Sequence, residues 1–136
     1  MREILFRGKR TDNGEWVTGT PFIYADRCKM IQAVAVHPDF VDEGNVYYSE
    51  GFPVDTKTVG QFTGLTDKNG KKIFEGDVVE VNHDAYPGVR GKVFFKNGSF
   101  MLKNVSDVLT LYGFLPWCEV TGNIHDNPEL LEVSHV

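Results

Sequence analysis

Apolar residues occur along this chain in short runs bounded by turn-forming residues, and few stretches repeat apolar positions at helical spacing for three turns. Such runs, separated by many of the chain's 14 Gly and 6 Pro residues, are typical of a protein built mainly from β-strands. We therefore predict a mainly β fold of the α+β class with little helix, in which an N-terminal hairpin region precedes a small barrel.

Two hairpins are predicted from turn signals. Glu3–Arg7 and Glu15–Thr20 flank a turn that contains Asn13-Gly14, and Gly91–Phe95 and Ser99–Lys103 flank Asn97-Gly98. Asn-Gly favours the positive φ angles of a two-residue hairpin turn. Further strands are predicted at Phe22–Tyr24, Met30–Val36, Thr56–Phe62, Val78–Val81 and Cys118–Ile124.

Three stretches lack a clear strand pattern. Residues 37–55 predict a loop that holds the short apolar piece Val46–Tyr48. Ser106–Tyr112 predicts one or two helical turns with Ser as the N-cap. Pro128–Glu132 predicts a short terminal helix, because Asn127 suits the N-cap and Pro suits the first helical position.

The block from Gly76 to Ile124 has the rhythm of a small SH3-like barrel: a strand, a hairpin, a short helical turn and a last strand. Closure into a barrel would remove the exposed edges of such short strands, although an open meander would have a similar pattern. We predict a single domain over residues 1–136. It could divide into an N-terminal β lobe, residues 1–55, and a barrel-like lobe, residues 56–136.

Charge is distributed unevenly. The net charge is -5, yet the strip from Tyr86 to Lys103 contains no acid, and every charged residue after it is acidic. Basic residues beside aromatic ones can follow a nucleic-acid backbone and stack bases. The strip is therefore a candidate nucleic-acid surface, although a solvated hairpin face or pairing with the acidic C-terminal segment would explain it too. The candidate residues are Arg90, Lys92, Phe94 and Lys96, with Tyr86 and Phe95 nearby.

Carboxylates and histidines give no convincing catalytic or metal site. The segment Asp67-Lys-Asn-Gly70 begins like a calcium loop, but Gly stands fourth rather than sixth, so a turn is the better interpretation. Glu75 and Asp77 could pair for acid–base chemistry, but turn formation explains them equally well. We predict no cofactor, no metal and no catalytic residue. The same conclusion covers three His/Asp neighbours: His37 with Asp39, His83 with Asp84, and His125 with Asp126.

Cysteine usage and hydropathy indicate a cytoplasmic protein. Cys28 and Cys118 are far apart and form no CxxC pair, which predicts two free and partly buried thiols. No apolar run approaches the roughly 20 residues that span a membrane, and the first residues do not resemble a secretory signal. We expect no membrane association.

Three segments resemble the YopX family of small phage and prophage proteins. They are Gln61–Leu65, Asp67–Val79 and Gly122–Leu131, and the opening Met1–Arg7 is also similar to the usual family start. The family carries no assigned activity, so the resemblance implies no site residue. It implies a phage or prophage origin, a mainly β fold and action inside a bacterial cell.

Three functions follow as hypotheses. The first is a non-enzymatic accessory protein that binds an unknown host or phage protein or a second copy of itself as a homo-oligomer. The second is a nucleic-acid-binding module that uses residues 86–103. The third is a small enzyme whose site the sequence does not reveal.

Overall fold

The computed structural model describes residues 3–24, 27–36 and 47–132, which form eleven strands and three short 3₁₀ helices. The mainly β fold predicted from the sequence is thereby confirmed. The strands are β1 Phe6–Lys9, β2 Trp16–Tyr24, β3 Arg27–Val36, β4 Tyr47–Pro53, β5 Gly60–Thr66, β6 Lys72–Phe74, β7 Asp77–His83, β8 Tyr86–Lys96, β9 Ser99–Lys103, β10 Val108–Thr110 and β11 Cys118–Asn123. The 3₁₀ helices are η1 Thr56–Thr58, η2 Tyr112–Trp117 and η3 Pro128–Leu131.

The chain divides into two compact units, one of residues 3–61 and one that begins at Phe62. In the N-terminal unit, antiparallel strands follow the order β4-β3-β2-β1, and the first residues of β5 pair with β1. The opening hairpin, β1 with β2, is the one that the sequence predicts. Its small core consists of buried Ile31 and Val54 with three partly buried neighbours, Phe6, Val17 and Val59.

The C-terminal unit contains a five-stranded antiparallel sheet in the order β10-β9-β8-β7-β11. Strand β7 therefore lies between β8 and the last strand, and η2 precedes that last strand. Closure of this sheet into an SH3-like barrel stays a prediction. The buried core residues are Ile73, Val79, Val81, Val93, Leu102, Leu109, Leu111 and Cys118.

Strand alternation separates the two faces of this sheet. Val93, Leu102 and Leu109 are direct register partners on β8, β9 and β10, and all three are buried. Because successive side chains of a strand point to opposite faces, the residues on either side of each lie on the outer face. This alternation places the candidate site on that outer face.

The turn between β8 and β9 has the predicted geometry, whereas the opening hairpin is closed by the longer loop 10–15, in which Gly14 but not Asn13 has a positive φ. Between β8 and β9, Asn97 has a φ angle of 54° and Gly98 one of 80°, so both central residues of this two-residue turn are left-handed. A hairpin of this kind fixes the register of both strands by counting outward from the turn. Gly70, in the turn predicted at Asp67-Lys-Asn-Gly70, also has a positive φ of 82°.

Three local predictions are wrong. Residues 108–110 form strand β10 rather than a helix, because they pair with β9 while the Asn104 side chain accepts the N–H groups of Ser106 and Asp107. Residues 56–58 form η1, capped by the Asp55 carboxylate, rather than the start of a strand. Residues 47–53 form β4 along β3 instead of part of a loop. The rest of that predicted loop, 37–46, lies outside the described residues.

Candidate basic face

The four candidate residues of the basic strip lie on one face of β8. Arg90, Lys92, Phe94 and Lys96 occupy alternate positions, while Gly91 and Val93 between them are buried. The three cations are exposed and the Phe94 ring is partly buried. The structure thus brings together the residues that the sequence singles out.

Strands β9 and β10 extend this face beyond β8. Lys92 is the register partner of Lys103, and Phe94 is the register partner of Met101. A groove of about 280 Å³ runs over these strands. We define the basic face as the eight residues of these strands that carry its charge or contribute to this groove: Lys92, Phe94, Lys96, Ser99, Met101, Lys103, Val108 and Thr110.

The three lysines of the basic face have no acidic counterpart in the part of the chain that the structure describes. No described carboxylate lies within ion-pair distance of Lys92, Lys96 or Lys103. Arg90 differs, because its Nε lies 3.7 Å from Oε1 of Glu80. It also lines a separate cavity of about 390 Å³ that is bordered by carboxylates. Arg90 is therefore partly neutralised and stands apart from the lysines.

The acidic C-terminal segment does not neutralise the strip within the described residues. The carboxylate of Glu119 lies 3.7 Å from Nζ of Lys68, which is not a residue of the strip. The Asp107 carboxylate accepts a hydrogen bond from the Ser106 hydroxyl at 3.3 Å. Within the described residues, the strip therefore forms no ion pair with the acidic C-terminal segment. Such pairing is one of the alternatives that the sequence leaves open.

The three other aromatic residues of the strip, Tyr86, Phe95 and Phe100, lie off the basic face. Phe95 is 54% exposed, points to the opposite side of β8 and contacts Phe100, with ring centroids 5.0 Å apart. Tyr86 joins an aromatic cluster at the β7–β8 turn, where its ring meets Phe114 edge-on at 5.4 Å. Phe94 is thus the aromatic ring of the strip that the basic face presents.

The aromatic cluster gives His83 a packing role. Its ring lies edge-on to Trp117, with ring centroids 4.5 Å apart, and to Phe114 at 5.7 Å. Its Nδ1 accepts a hydrogen bond from the Ala85 N–H at 3.0 Å. The neighbouring Asp84 takes no part in these contacts, so this His/Asp pair does not form a dyad.

Asp67 organises the Asp-Lys-Asn-Gly turn through hydrogen bonds from three backbone N–H groups. Its Oδ1 accepts the N–H groups of Asn69 and Lys71, both at 2.9 Å, and its Oδ2 accepts the Val120 N–H at 3.0 Å. Burial raises the pKa of Asp67, but these backbone donors outweigh it, and the net pKa lies below the usual value of 3.8. The carboxylate therefore holds the turn against β11.

Asp77 and Cys118 are buried structural residues. Asp77 Oδ2 accepts the Phe74 N–H at 2.8 Å, which confirms its role in the turn before β7. Burial, with the nearby Asp67 carboxylate, raises the pKa of the Cys118 thiol to about 11. The thiol is therefore protonated at neutral pH and is a weak nucleophile. The side chain of Cys28 lies outside the described residues.

The described ranges show no assembled metal site. Their His, Cys, Asp and Glu side chains nowhere gather in a group of three or more that could ligate an ion. His125 lies in the C-terminal turn, where its backbone N–H donates a hydrogen bond to Asn123 Oδ1 at 3.0 Å. The remaining His/Asp pair, His37 with Asp39, is not among the described residues.

Sequence reasoning missed part of the basic face. Counting outward from the Asn97-Gly98 turn pairs Lys92 with Lys103 and Phe94 with Met101. The positions of Met101 and Lys103 on this face could therefore have been predicted from the turn. Val108 could not be found in the same way, because its segment resembles the start of a helix. Its contribution depends on the pairing of β10 with β9.

Comparison with known proteins decides the family. The family model described as YopX protein matches residues 5–132, which is nearly the whole chain. The chain belongs to the YopX family. The resemblance seen in the three sequence segments is thus confirmed.

A solved structure similar to this YopX-family chain supports the same fold. The crystal structure of protein EF1440 from Enterococcus faecalis matches with a TM-score of 0.62 and 26% sequence identity, covering 97% of this chain and 100% of that chain. A search of curated proteins gave no significant match. None of the helices in the described part of this YopX-family chain has the length and apolar character needed to cross a bilayer.

Proposed function

We propose that this YopX-family chain is a phage- or prophage-encoded accessory protein that acts in the bacterial cytoplasm by binding a polyanionic partner on its basic face. The observation that carries the proposal is the direct pairing of Lys92 with Lys103 across β8 and β9. Like charges directly opposite one another destabilise a sheet. A polyanion that neutralises them would turn this unfavourable arrangement into a favourable one.

Protection of sheet edges does not account for these lysines. Lysine is common on edge strands, where its charge prevents pairing with other chains. Strand β8 lies between β7 and β9, and β9 lies between β8 and β10, so both are interior strands of this sheet. Lys92 and Lys103 therefore charge the face of the sheet and not an edge.

Net charge and local charge have different consequences here. The whole chain carries -5, which would repel a polyanion approaching from most directions. The basic face offers three exposed lysines, with no described carboxylate within ion-pair distance of them. Binding would therefore be confined to this face, and it would weaken steeply with salt because bound counterions are released on association.

Replacing the three lysines should abolish most of this binding. We expect the triple variant Lys92→Gln, Lys96→Gln and Lys103→Gln to elute from heparin at lower salt than the parent chain. The slope of log K against log salt should fall by about two, since each contact adds roughly 0.7–0.9 to it. Chromatography on immobilised heparin measures the elution, and titration of each variant with heparin over a series of salt concentrations measures the slope.

A matched variant separates the face from the net charge. Lys57→Gln, Lys68→Gln and Lys71→Gln remove the same number of positive charges from residues outside the basic face. This control should bind heparin nearly as well as the parent chain. Equal losses in the two triple variants, or no heparin binding by the parent chain, would refute the proposal.

A further inference from the structure

We propose that the polyanion is a single-stranded nucleic acid and that Phe94 is the platform on which one of its bases stacks. This inference rests on the proposed function and names its partner. A polyanion without apolar groups, such as heparin, would need only the lysines. The basic face also has an apolar floor, formed by Phe94 with Met101 and Val108.

The position of Phe94 fits a nucleotide. Along β8, Lys92, Phe94 and Lys96 share one face at two-residue steps, so the ring lies between two ammonium groups, roughly 7 Å along the strand from each residue. Lys103 stands beside Lys92 on the neighbouring strand. A base lying on the ring would direct its flanking phosphates toward the lysines on either side.

The groove favours a single strand over a duplex. In a duplex the faces of the bases are stacked on one another, whereas single-stranded bases are free to stack on aromatic side chains. The Phe94 ring is partly buried against the sheet and borders the groove of about 280 Å³. A platform of this kind binds the face of a base, which only an unpaired strand presents. Stacking is tolerant of sequence because every base has such a face.

An acidic polypeptide is the competing partner, and the observations favour it less. It would match the charge of the lysines, but its carboxylates carry no flat apolar group for the Phe94 ring. Stacked bases supply both features at once, since the phosphates and the base belong to the same nucleotide. Polyglutamate is therefore an informative competitor in the test.

The test compares ligands that differ in one property at a time. Fluorescence anisotropy with labelled oligothymidylate, an abasic strand of the same length and a duplex of the same length reports the contribution of unpaired bases. We expect the parent chain to bind oligothymidylate about 5- to 150-fold more tightly than the abasic strand, as one stacked base would give. The duplex should bind more weakly than oligothymidylate.

Neighbouring phenylalanines provide the matched variants. Phe94→Leu keeps an apolar side chain without the ring, and it should reduce the preference for oligothymidylate over the abasic strand to near unity. Phe94→Tyr should retain the preference. Phe95→Leu changes the adjacent and more exposed ring on the opposite side of β8 and should leave binding unchanged. Unfolding midpoints measured for each variant confirm that they fold.

Failure of this inference differs from failure of the proposed function. Equal affinity for oligothymidylate and the abasic strand, a tighter duplex, or stronger binding of polyglutamate would overturn the role of Phe94 while heparin binding still stood. A loss caused by Phe95→Leu but not by Phe94→Leu would also overturn it. Absence of binding to heparin and to every strand would remove both proposals.

Discussion

Replacement of Asp67 by Asn should lower the free energy of unfolding by about 2–3 kcal/mol, because a charged hydrogen-bond acceptor is lost and a buried donor is left unsatisfied. In the native turn, one carboxylate oxygen accepts two backbone N–H groups and the other accepts the Val120 N–H. An Asn side chain offers only one carbonyl oxygen. Its NH2 group would take the place of the other carboxylate oxygen and would face a backbone N–H, so two donors would meet without an acceptor. Urea denaturation of the two proteins at neutral pH measures the loss.

The pH dependence gives this prediction a second signature. The folded pKa of Asp67 lies below its ordinary value of 3.8, so the charged form stabilises the folded protein above that value. This contribution is lost as the pH falls through the folded pKa. The gap in unfolding free energy between parent and Asp67→Asn should therefore stay constant near neutral pH and shrink below about pH 4.

Asp12→Asn is a suitable control for Asp67. Asp12 is an exposed carboxylate whose pKa is also lowered, chiefly by its hydrogen bond with Arg10. Because solvent screens this pair, its replacement should change the stability little at any pH. An Asp67→Asn protein as stable as the parent, or a gap that widens in acid, would mean that the carboxylate does not hold the turn.

Truncation of Leu102 should destabilise the C-terminal unit by about 2–5 kcal/mol, because it leaves a cavity in the centre of the core. Leu102 is 3% exposed and pairs with buried Val93 on one side and buried Leu109 on the other. The comparison is Met101→Ala, at the preceding position of the same strand. Met101 lies on the outer face and is only partly buried, so its truncation should cost about 1 kcal/mol or less.

This pair of variants tests the register that creates the basic face. A slip of one residue in β9 would exchange the two faces and place Lys103 inward. Chemical denaturation of Leu102→Ala and Met101→Ala therefore distinguishes the two registers. A larger loss for Met101→Ala than for Leu102→Ala would contradict the assignment of the outer face.

The sequence predicts those elements whose signals are local. The Asn97-Gly98 turn requires two left-handed residues, and few residues other than Asn and Gly adopt that conformation readily. The hairpin, its register and the alternation of β8 follow from that turn. The opening hairpin and the strand at β11 follow from similar local signals. Helix η3 begins at Pro128 as predicted, but Asn127 makes no capping hydrogen bond to it, and its Oδ1 accepts the backbone N–H of Asn123 instead.

Other elements depend on partners distant in the sequence. Residues 108–110 become a strand because β9 provides a neighbour, and their own pattern is too short to decide between helix and strand. Residues 47–53 become β4 because β3 supplies seven consecutive register partners. The capping of η1 by Asp55 is local, but the β-branched threonines around it favour a strand in isolation.

The candidate site was predictable in part for the same reason. The alternate positions of Lys92, Phe94 and Lys96 place them on one face of any strand. The absence of described acidic neighbours around them could not be predicted, because it depends on where Glu80 and Glu119 lie in the folded unit. The homo-oligomer expected from the short strands stays a prediction.

Mapping of the bound surface tests binding at the basic face most directly. In two-dimensional amide NMR spectra of the full chain, titration with a short heparin oligosaccharide should shift resonances of Lys92–Lys96, Ser99–Lys103 and Val108–Thr110. Those of Lys57 and Lys71, which lie outside the basic face, should stay in place. Shifts centred on those outside lysines, or spread evenly over the chain, would contradict binding at the basic face.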